Sequence, residues 1–237
     1  MKIAVLIARI LLGLLFLVFG LNGFLHFIPM PPPAGLAGQY FGVLFVSHYL
    51  VLVFLLQGMS NGLVDVLFGL WPLQPIEGHV YFHFWQIVTY AFLHSTDHIS
   101  HLLFNMLGLW MFGEEIERYV GPRRLLSCYF ASVVTAALSQ LFIPILFNAP
   151  PAPTIGASGG VFGLLLAYAA LFPHRKVVPL IPPIPMPAWL FVTLYGILEL
   201  SLGVFGTAQG VAHFAHLGGM ATGYALILYW RSRYRRR

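Results

Sequence analysis

Seven apolar runs, near residues 3–27, 40–57, 100–117, 125–147, 156–172, 187–206 and 211–230, constrain this chain more than any single motif does. Hydrocarbon offers no water to backbone N–H and C=O groups, so runs of this length must form helices, whose hydrogen bonds close within the segment. Asp, Glu, Lys and Arg make up only 8% of the chain, against roughly 25% in soluble domains. The expected fold class is therefore all-α and polytopic in a membrane. Cys128 is the only cysteine, so no intrachain disulfide can staple the fold.

A net charge of +5 would point to nucleic acid in a soluble protein, but its distribution here says otherwise. Ten of the twelve basic residues fall at Arg118, Arg123 and Arg124, at Arg175 and Lys176, and at Arg231, Arg233 and Arg235 to Arg237. Lys and Arg collect in short cytoplasmic loops, and the last six runs alternate consistently about these clusters. That gives a six-helix core with a cytoplasmic C-terminus and with 58–98, 148–155 and 207–210 outside. RSRYRRR at the end reads as a topology anchor rather than a nucleic-acid site. The first run reads as an extra N-terminal helix, although it sets Lys2 and Arg9 against the charge bias. It is longer than a signal-peptide apolar region, and no small-residue cleavage site follows it. Its ARILLGLLFLVFGLNGFLHF resembles the opening helix of DoxX-type membrane proteins, and PMPPPAG behind it reads as a short rigid linker. The expected domains are 1–39, a hydrophobic helix with its linker; 40–230, the core; and 231–237, a basic tail. Segment 58–98, with Trp71, Pro72, Pro75, Trp85 and Tyr90, is aromatic, broken by prolines and too polar to span, so it reads as interfacial.

Polar groups at membrane depth are costly and are functional suspects by default. HISHLLFNMLGLW places His101 and Asn105 four apart, on one helical face. Both donate hydrogen bonds while neutral, which suits a site that must hold a developing oxyanion where water is scarce. GASGGVFG puts Ser158 in the first turn of a helix, where unpaired N–H groups and the positive dipole end favour negative charge. Gly156 and Gly160, and Gly159 and Gly163, are each four apart and leave a surface that another helix can approach closely. In AHLGGMATGY, His216, Gly219 and Gly223 share a face. If the two glycine faces meet, Ser158 and His216 lie at similar depth, within reach for an imidazole to take a hydroxyl proton.

The three patterns together resemble the rhomboid family of intramembrane serine proteases: H-x-x-x-N (His101, Asn105), G-x-S-G (Gly156, Ala157, Ser158, Gly159) and H-x-x-G-x-x-x-G (His216, Gly219, Gly223), in the family's order. FHFWQIVTYAFLH and GEEIERYVG extend the resemblance to roughly 40–230, which makes the core rhomboid-like. The resemblance implies that Ser158 is the nucleophile and His216 its base. It implies that His101 and Asn105 line the oxyanion hole, joined by the Ser158 N–H, and that Gly156 belongs with them to the oxyanion and substrate-binding site. Gly160, Gly163, Gly219 and Gly223 are expected to pack helices. Substrates are expected to be membrane-anchored proteins whose transmembrane segments contain helix-destabilising residues and enter sideways between helices. Two positions depart from the family pattern. Phe162 stands where the family has a tyrosine stacked on the catalytic histidine, and the loop motif often written Trp-Arg reads Trp85-Gln86.

Each feature alone has a plainer reading: Ser158 as a packing residue among glycines, His216 as a histidine bonded to a helix carbonyl. Packing, however, requires neither a histidine beside one glycine pair nor a His–Asn face elsewhere. The rival function is a non-catalytic membrane protein of the same fold that binds or retains clients. His94, His98 and His101 are spaced for one helical face and a metal, but no carboxylate or cysteine joins them. No metal and no cofactor is expected, and the partners are the lipid bilayer and protein substrates. His213, one turn before His216, competes for the role of base but lacks the spacing to the glycines. Glu199, the one carboxylate well inside a run, is expected to make a structural hydrogen bond to a neighbouring helix, with orientation of a histidine as the minor alternative. No third acidic member of the site is evident. Glu114, Glu115 and Glu117 are expected at the surface or paired with Arg118, Arg123 or Arg124. Size and family point to a prokaryotic plasma membrane.

Overall fold

The computed structural model describes residues 52–74, 81–146, 150–179, 183–205 and 212–235. The run at 3–27, most of 40–57, the linker after residue 28, the loop 207–210 and Arg236 and Arg237 lie outside the described residues. The chain divides into two compact units, Met1–Asn61 and Gly62–Arg237. Within the first, residues 52–59 are helical.

The second unit is a helical bundle. Its elements are α1 (Leu63–Phe68), α2 (Gln86–Thr89) followed by a 3-10 turn (Tyr90–Phe92), α3 (Ile99–Val120), α4 (Pro122–Leu146), α5 (Ser158–Leu171), α6 (Ala188–Phe205) and α7 (His213–Arg235). A two-residue antiparallel ribbon pairs Lys176 with Pro187 and Val177 with Met186 between α5 and α6. Five long helices thus fall on the five apolar runs that begin at residue 100. The α3–α4 corner shows why the chain breaks where it does: Gly121 takes a positive φ of 85° while its N–H closes the last turn on Glu117, and Pro122 opens the next helix. Proline suits a first helical position, where its missing N–H would be unpaired anyway.

α5 sits in the middle, against α7, α4, α3 and α6. Its buried residues go all round, from Gly159 and Gly160 through Leu164 and Ala167 to Tyr168, as befits a helix enclosed by others. The glycines set how close the neighbours come. A side chain at Gly219 or Gly223 of α7 would collide with the carbonyls of Gly159 and Gly163, so the two backbones touch. Gly163 also lies under Ser132, and Gly160 faces Tyr129 and Val133, which brings α4 to the same helix. Close backbone approach is what drives association where lipid tails are as apolar as leucine.

The outside of the bundle is apolar. Phe104, Trp110, Phe130, Phe142, Ile197, Leu200 and Leu228 are all exposed, an inside-out distribution that a soluble protein does not tolerate over so wide a surface. α4 and α6, with mean hydropathy 1.7, are each long and apolar enough to cross a bilayer. Among the described residues of this unit, Arg118, Arg175 and Arg231 gather at the end of the bundle remote from Ser158. Arg118 pairs with Glu114, Arg175 pairs with Glu115, and Arg231 donates to the Ala170 carbonyl. Unlike the partly exposed Glu114 and Glu115, Glu117 is not at the surface: it is buried, 3% exposed.

Candidate active site

Ser158 is the first residue of α5, and His216 lies in the first turn of α7. The glycine contact below them brings the two helix starts together, and the Ser158 hydroxyl is 2.8 Å from His216 Nε2. The other ring nitrogen, Nδ1, is 2.8 Å from Glu199 Oε2 on α6. A carboxylate accepts and does not donate, so Nδ1 carries the proton and Nε2 is left as the acceptor for the Ser158 O–H. Phe162, one turn along α5 from Ser158, stacks flat on the imidazole with centroids 4.1 Å apart and planes 5° from parallel. The ring is therefore held at both nitrogens and on one face.

His101 and Asn105 stand opposite on α3. The Ser95 backbone N–H donates to His101 Nδ1 at 3.3 Å, which leaves the Nε2 proton as the one available to a ligand. That Nε2 lies against Gly156, whose φ of 126° and close approach to the imidazole both exclude a side chain. Gly156 is fixed in turn by its N–H to the Tyr90 carbonyl, 3.0 Å, while the Tyr90 hydroxyl donates to the Val133 carbonyl, 2.9 Å. Asn105, 5% exposed, spends one amide proton on the His101 carbonyl at 2.9 Å and keeps another. Ser158, His216, His101 and Asn105 all line one cavity of roughly 830 Å³. The first N–H groups of α5 have no partner within the helix, and this end of the helix dipole favours an anion. The arrangement offers a hydroxyl, an acceptor for its proton, and several N–H donors around one space.

The remaining histidines fall differently from their spacing. α3 begins only at Ile99, with His98 in extended backbone ahead of it, so His94, His98 and His101 do not share a helical face. His94 is fully buried in the preceding segment, its ring edge-on to His101 at 5.2 Å. His213 does not reach Ser158: its Nδ1 lies 2.7 Å from the same Glu199 oxygen that meets His216. Among the described residues, Glu199, His213 and His216 are the one group of three with donor atoms placed to hold a metal ion. Glu199 is the acidic neighbour that the sequence did not make evident. The available signal was a lone carboxylate in an apolar run, but its partner could not be read from spacing.

The departure at Trp85-Gln86 has a local explanation. Gln86 is fully buried, accepts from the His83 N–H at 3.0 Å and the Trp71 N–H at 3.3 Å, and donates to the Leu67 carbonyl at 3.4 Å. Trp85 Nε1 donates to the same Leu67 carbonyl at 2.9 Å. The neutral amide thus ties α1 to α2.

Residues 81–233 match the family model for the rhomboid domain. The chain is 29% identical over 219 residues to Rhomboid protein 1, mitochondrial, of Saccharomyces cerevisiae, covering 79% of this chain and 59% of that one. It is 30% identical over 190 residues to the rhomboid protease GluP of Bacillus subtilis, covering 78% of this chain and 33% of that protein. With the rhomboid protease GlpG of Klebsiella pneumoniae it shares 29% identity over 179 residues, 74% of this chain and 58% of that one. The chain thus spans between a third and three fifths of the length of these relatives. With well over half of its 237 residues matched by the family model, the chain belongs to the rhomboid family of integral membrane proteins.

Proposed function

We propose that this protein is an intramembrane serine endopeptidase that cleaves membrane-anchored proteins through Ser158 and His216. The observation that carries the reading is the 2.8 Å contact between Ser158 Oγ and His216 Nε2 on the wall of a cavity that His101 and Asn105 also line. Ser158 gives its proton to His216 Nε2 as Oγ attacks the scissile carbonyl carbon. The carbonyl oxygen becomes an oxyanion, held by His101 Nε2–H, the free Asn105 N–H and the Ser158 backbone N–H. His216 then passes the proton to the leaving amine, and an acyl ester remains on Ser158. Water, deprotonated by His216, attacks the ester, and the proton returns to Ser158 as the acid product leaves.

The depth of the site follows from helix length. α5 has 14 residues, about 21 Å at 1.5 Å per residue, against a hydrocarbon thickness of about 30 Å. A helix that starts well below the surface puts the hydroxyl where a transmembrane segment lies, with the cavity above as the path for water. In this reading the core is the six-helix arrangement of 40–230, preceded by a hydrophobic segment at 1–39 and followed by the basic tail 231–237. The end carrying Arg118, Arg175 and Arg231 faces the cytoplasm.

The test uses the purified full chain in detergent, a fluorogenic single-span substrate and a fluorophosphonate probe. Wild type should cleave the substrate and take the label, and Ser158→Ala should do neither. A folded wild type that shows no label and no cleavage would favour a non-catalytic client-binding protein, with Ser158 as a packing residue.

A further inference from the structure

We propose that Glu199 is a positioning residue that completes the Ser158–His216 pair, and that His213 is the clamp holding Glu199 in place. The inference rests on the protease reading and adds to it a relay of four side chains drawn from three helices: Ser158 on α5, His216 and His213 on α7, and Glu199 on α6.

The geometry converges on one atom. Glu199 Oε2 lies 2.8 Å from His216 Nδ1 and 2.7 Å from His213 Nδ1. Glu199 is 6% exposed, His213 6% and His216 7%. Glu199 stands among leucines: Leu198 and Leu200, its chain neighbours, both point to the outside of the bundle while Glu199 turns inward. A buried carboxylate in such a helix is expensive unless its charge is met by hydrogen bonds. Two imidazole N–H groups on one oxygen meet it, and a purely structural bond would need only one of them.

The second bond has a chemical consequence. A neutral imidazole places its proton on either nitrogen, and only the form with Nδ1–H leaves Nε2 free to accept the Ser158 proton. Glu199 selects that form. When the proton transfers, His216 becomes an imidazolium in a poorly hydrated interior, and the carboxylate 2.8 Å away is the charge that compensates it. No proton needs to move to Glu199 for this. His213 Nε2 is buried and has no hydrogen-bond partner, so His213 acts through its Nδ1–H alone and holds the carboxylate at the angle His216 requires. His213 and His216 are one turn apart on one helix, their rings nearly perpendicular with centroids 6.4 Å apart. One rigid element thus carries both donors.

The experiment measures kcat, KM and the fluorophosphonate labelling rate on the full chain, with the thermal midpoint taken alongside. Glu199→Gln keeps the shape and removes the charge. It should lower kcat and the labelling rate together by roughly 10- to 100-fold, the range for losing a hydrogen bond to a charged group, with KM nearly unchanged. His213→Gln should cause a smaller fall in the same two quantities, and the double variant should be no slower than Glu199→Gln alone, because His213 acts through Glu199. Wild-type kcat and labelling in a folded Glu199→Gln protein would overturn the proposal while leaving the Ser158–His216 mechanism standing. Loss of wild-type activity on adding EDTA would assign the cluster to a metal and also overturn it. If Glu199→Gln does not fold, nitrogen NMR of wild type labelled at histidine decides: His216 should carry its resting proton on Nδ1, and a proton on Nε2 instead excludes the relay. A wild type that neither labels nor cleaves would remove the protease reading and this inference with it.

Discussion

The backbone N–H of Ser95 donates to His101 Nδ1 at 3.3 Å, and this single bond turns the Nε2 proton of His101 toward the cavity that Ser158 lines. His101 and Asn105 are therefore donors of opposite origin: a ring proton fixed by a loop amide, and a side-chain amide with one of its two protons already committed to the His101 carbonyl. Removing one oxyanion donor costs about 10²–10³ in rate. His101→Phe and Asn105→Ala should each lower kcat by about that factor with KM little changed. Variants that raise KM and leave kcat intact would move both residues from the oxyanion to substrate binding.

The contact between α5 and α7 leaves no room for a side chain. A Cβ on Gly219 would meet the Gly159 carbonyl, which is backbone and cannot swing aside. Gly219→Val should destabilise the protein by about 1–3 kcal/mol or more, the usual cost of overpacking. It should also slow labelling of Ser158, because the same contact sets the Ser158–His216 distance. Gly196→Ala is the control: its added methyl would meet only the flexible end of Met220, at 3.3 Å. Thermal midpoints in detergent and labelling rates measure both effects, and a Gly219→Val protein with the midpoint and labelling rate of wild type would contradict the packing account.

Much of this arrangement is legible in the amino-acid order, for a physical reason. An apolar run bounded by Gly, Pro or charge has only one way to satisfy its backbone in lipid, so the run at 156–172 becomes Ser158–Leu171 and the run at 187–206 becomes Ala188–Phe205. The last helix continues beyond residue 230 to Arg235, because an arginine-rich end is not limited by bilayer thickness and Arg231 binds the Ala170 carbonyl. What spacing cannot supply is the rotation of one helix against another. Glu199 on α6 meets His216 on α7 from 17 positions away, and only the packed bundle shows which face of α6 it occupies. The irregular segment before α3 was equally opaque. Periodicity joined His94, His98 and His101 on one face, yet the helix starts after two of them.

His94 lies ahead of α3, outside the apolar runs, and its imidazole is pushed down from 6.5 to about 3, first by burial and then by the neighbouring His101. A backbone hydrogen bond at Phe92 opposes that shift without cancelling it. The folded protein then binds fewer protons at this position than the unfolded chain, so stability rises with pH across the window from about 3 to 6.5 and levels off above it. The slope from one such group is at most about 1.4 kcal/mol per pH unit. Thermal midpoints of wild type should fall as pH drops below 6.5, and His94→Gln should flatten part of that fall. Parallel curves for the two proteins would mean that His94 titrates normally.

Phe162 raises the question of what the stacked ring contributes once its hydroxyl is absent. Its plane lies 5° from that of His216 at 4.1 Å, and the Tyr195 ring, tilted by 45°, lies 5.4 Å from it. The stack restricts tilting of an imidazole that Glu199 and Ser158 already hold at its two nitrogens, and it covers one face of that ring. Aromatic pairs contribute about 0.5–1.5 kcal/mol beyond buried area, so Phe162→Leu should lower kcat roughly 2- to 10-fold. Phe162→Tyr restores a hydroxyl at the ring edge, remote from the stacked face, and should keep kcat near wild type. The pair of variants separates the two functions a ring can have here. A drop in both would assign the loss to crowding, a drop in neither would show that the nitrogen contacts alone orient His216, and only a drop confined to the leucine variant makes the stacked face the feature that matters.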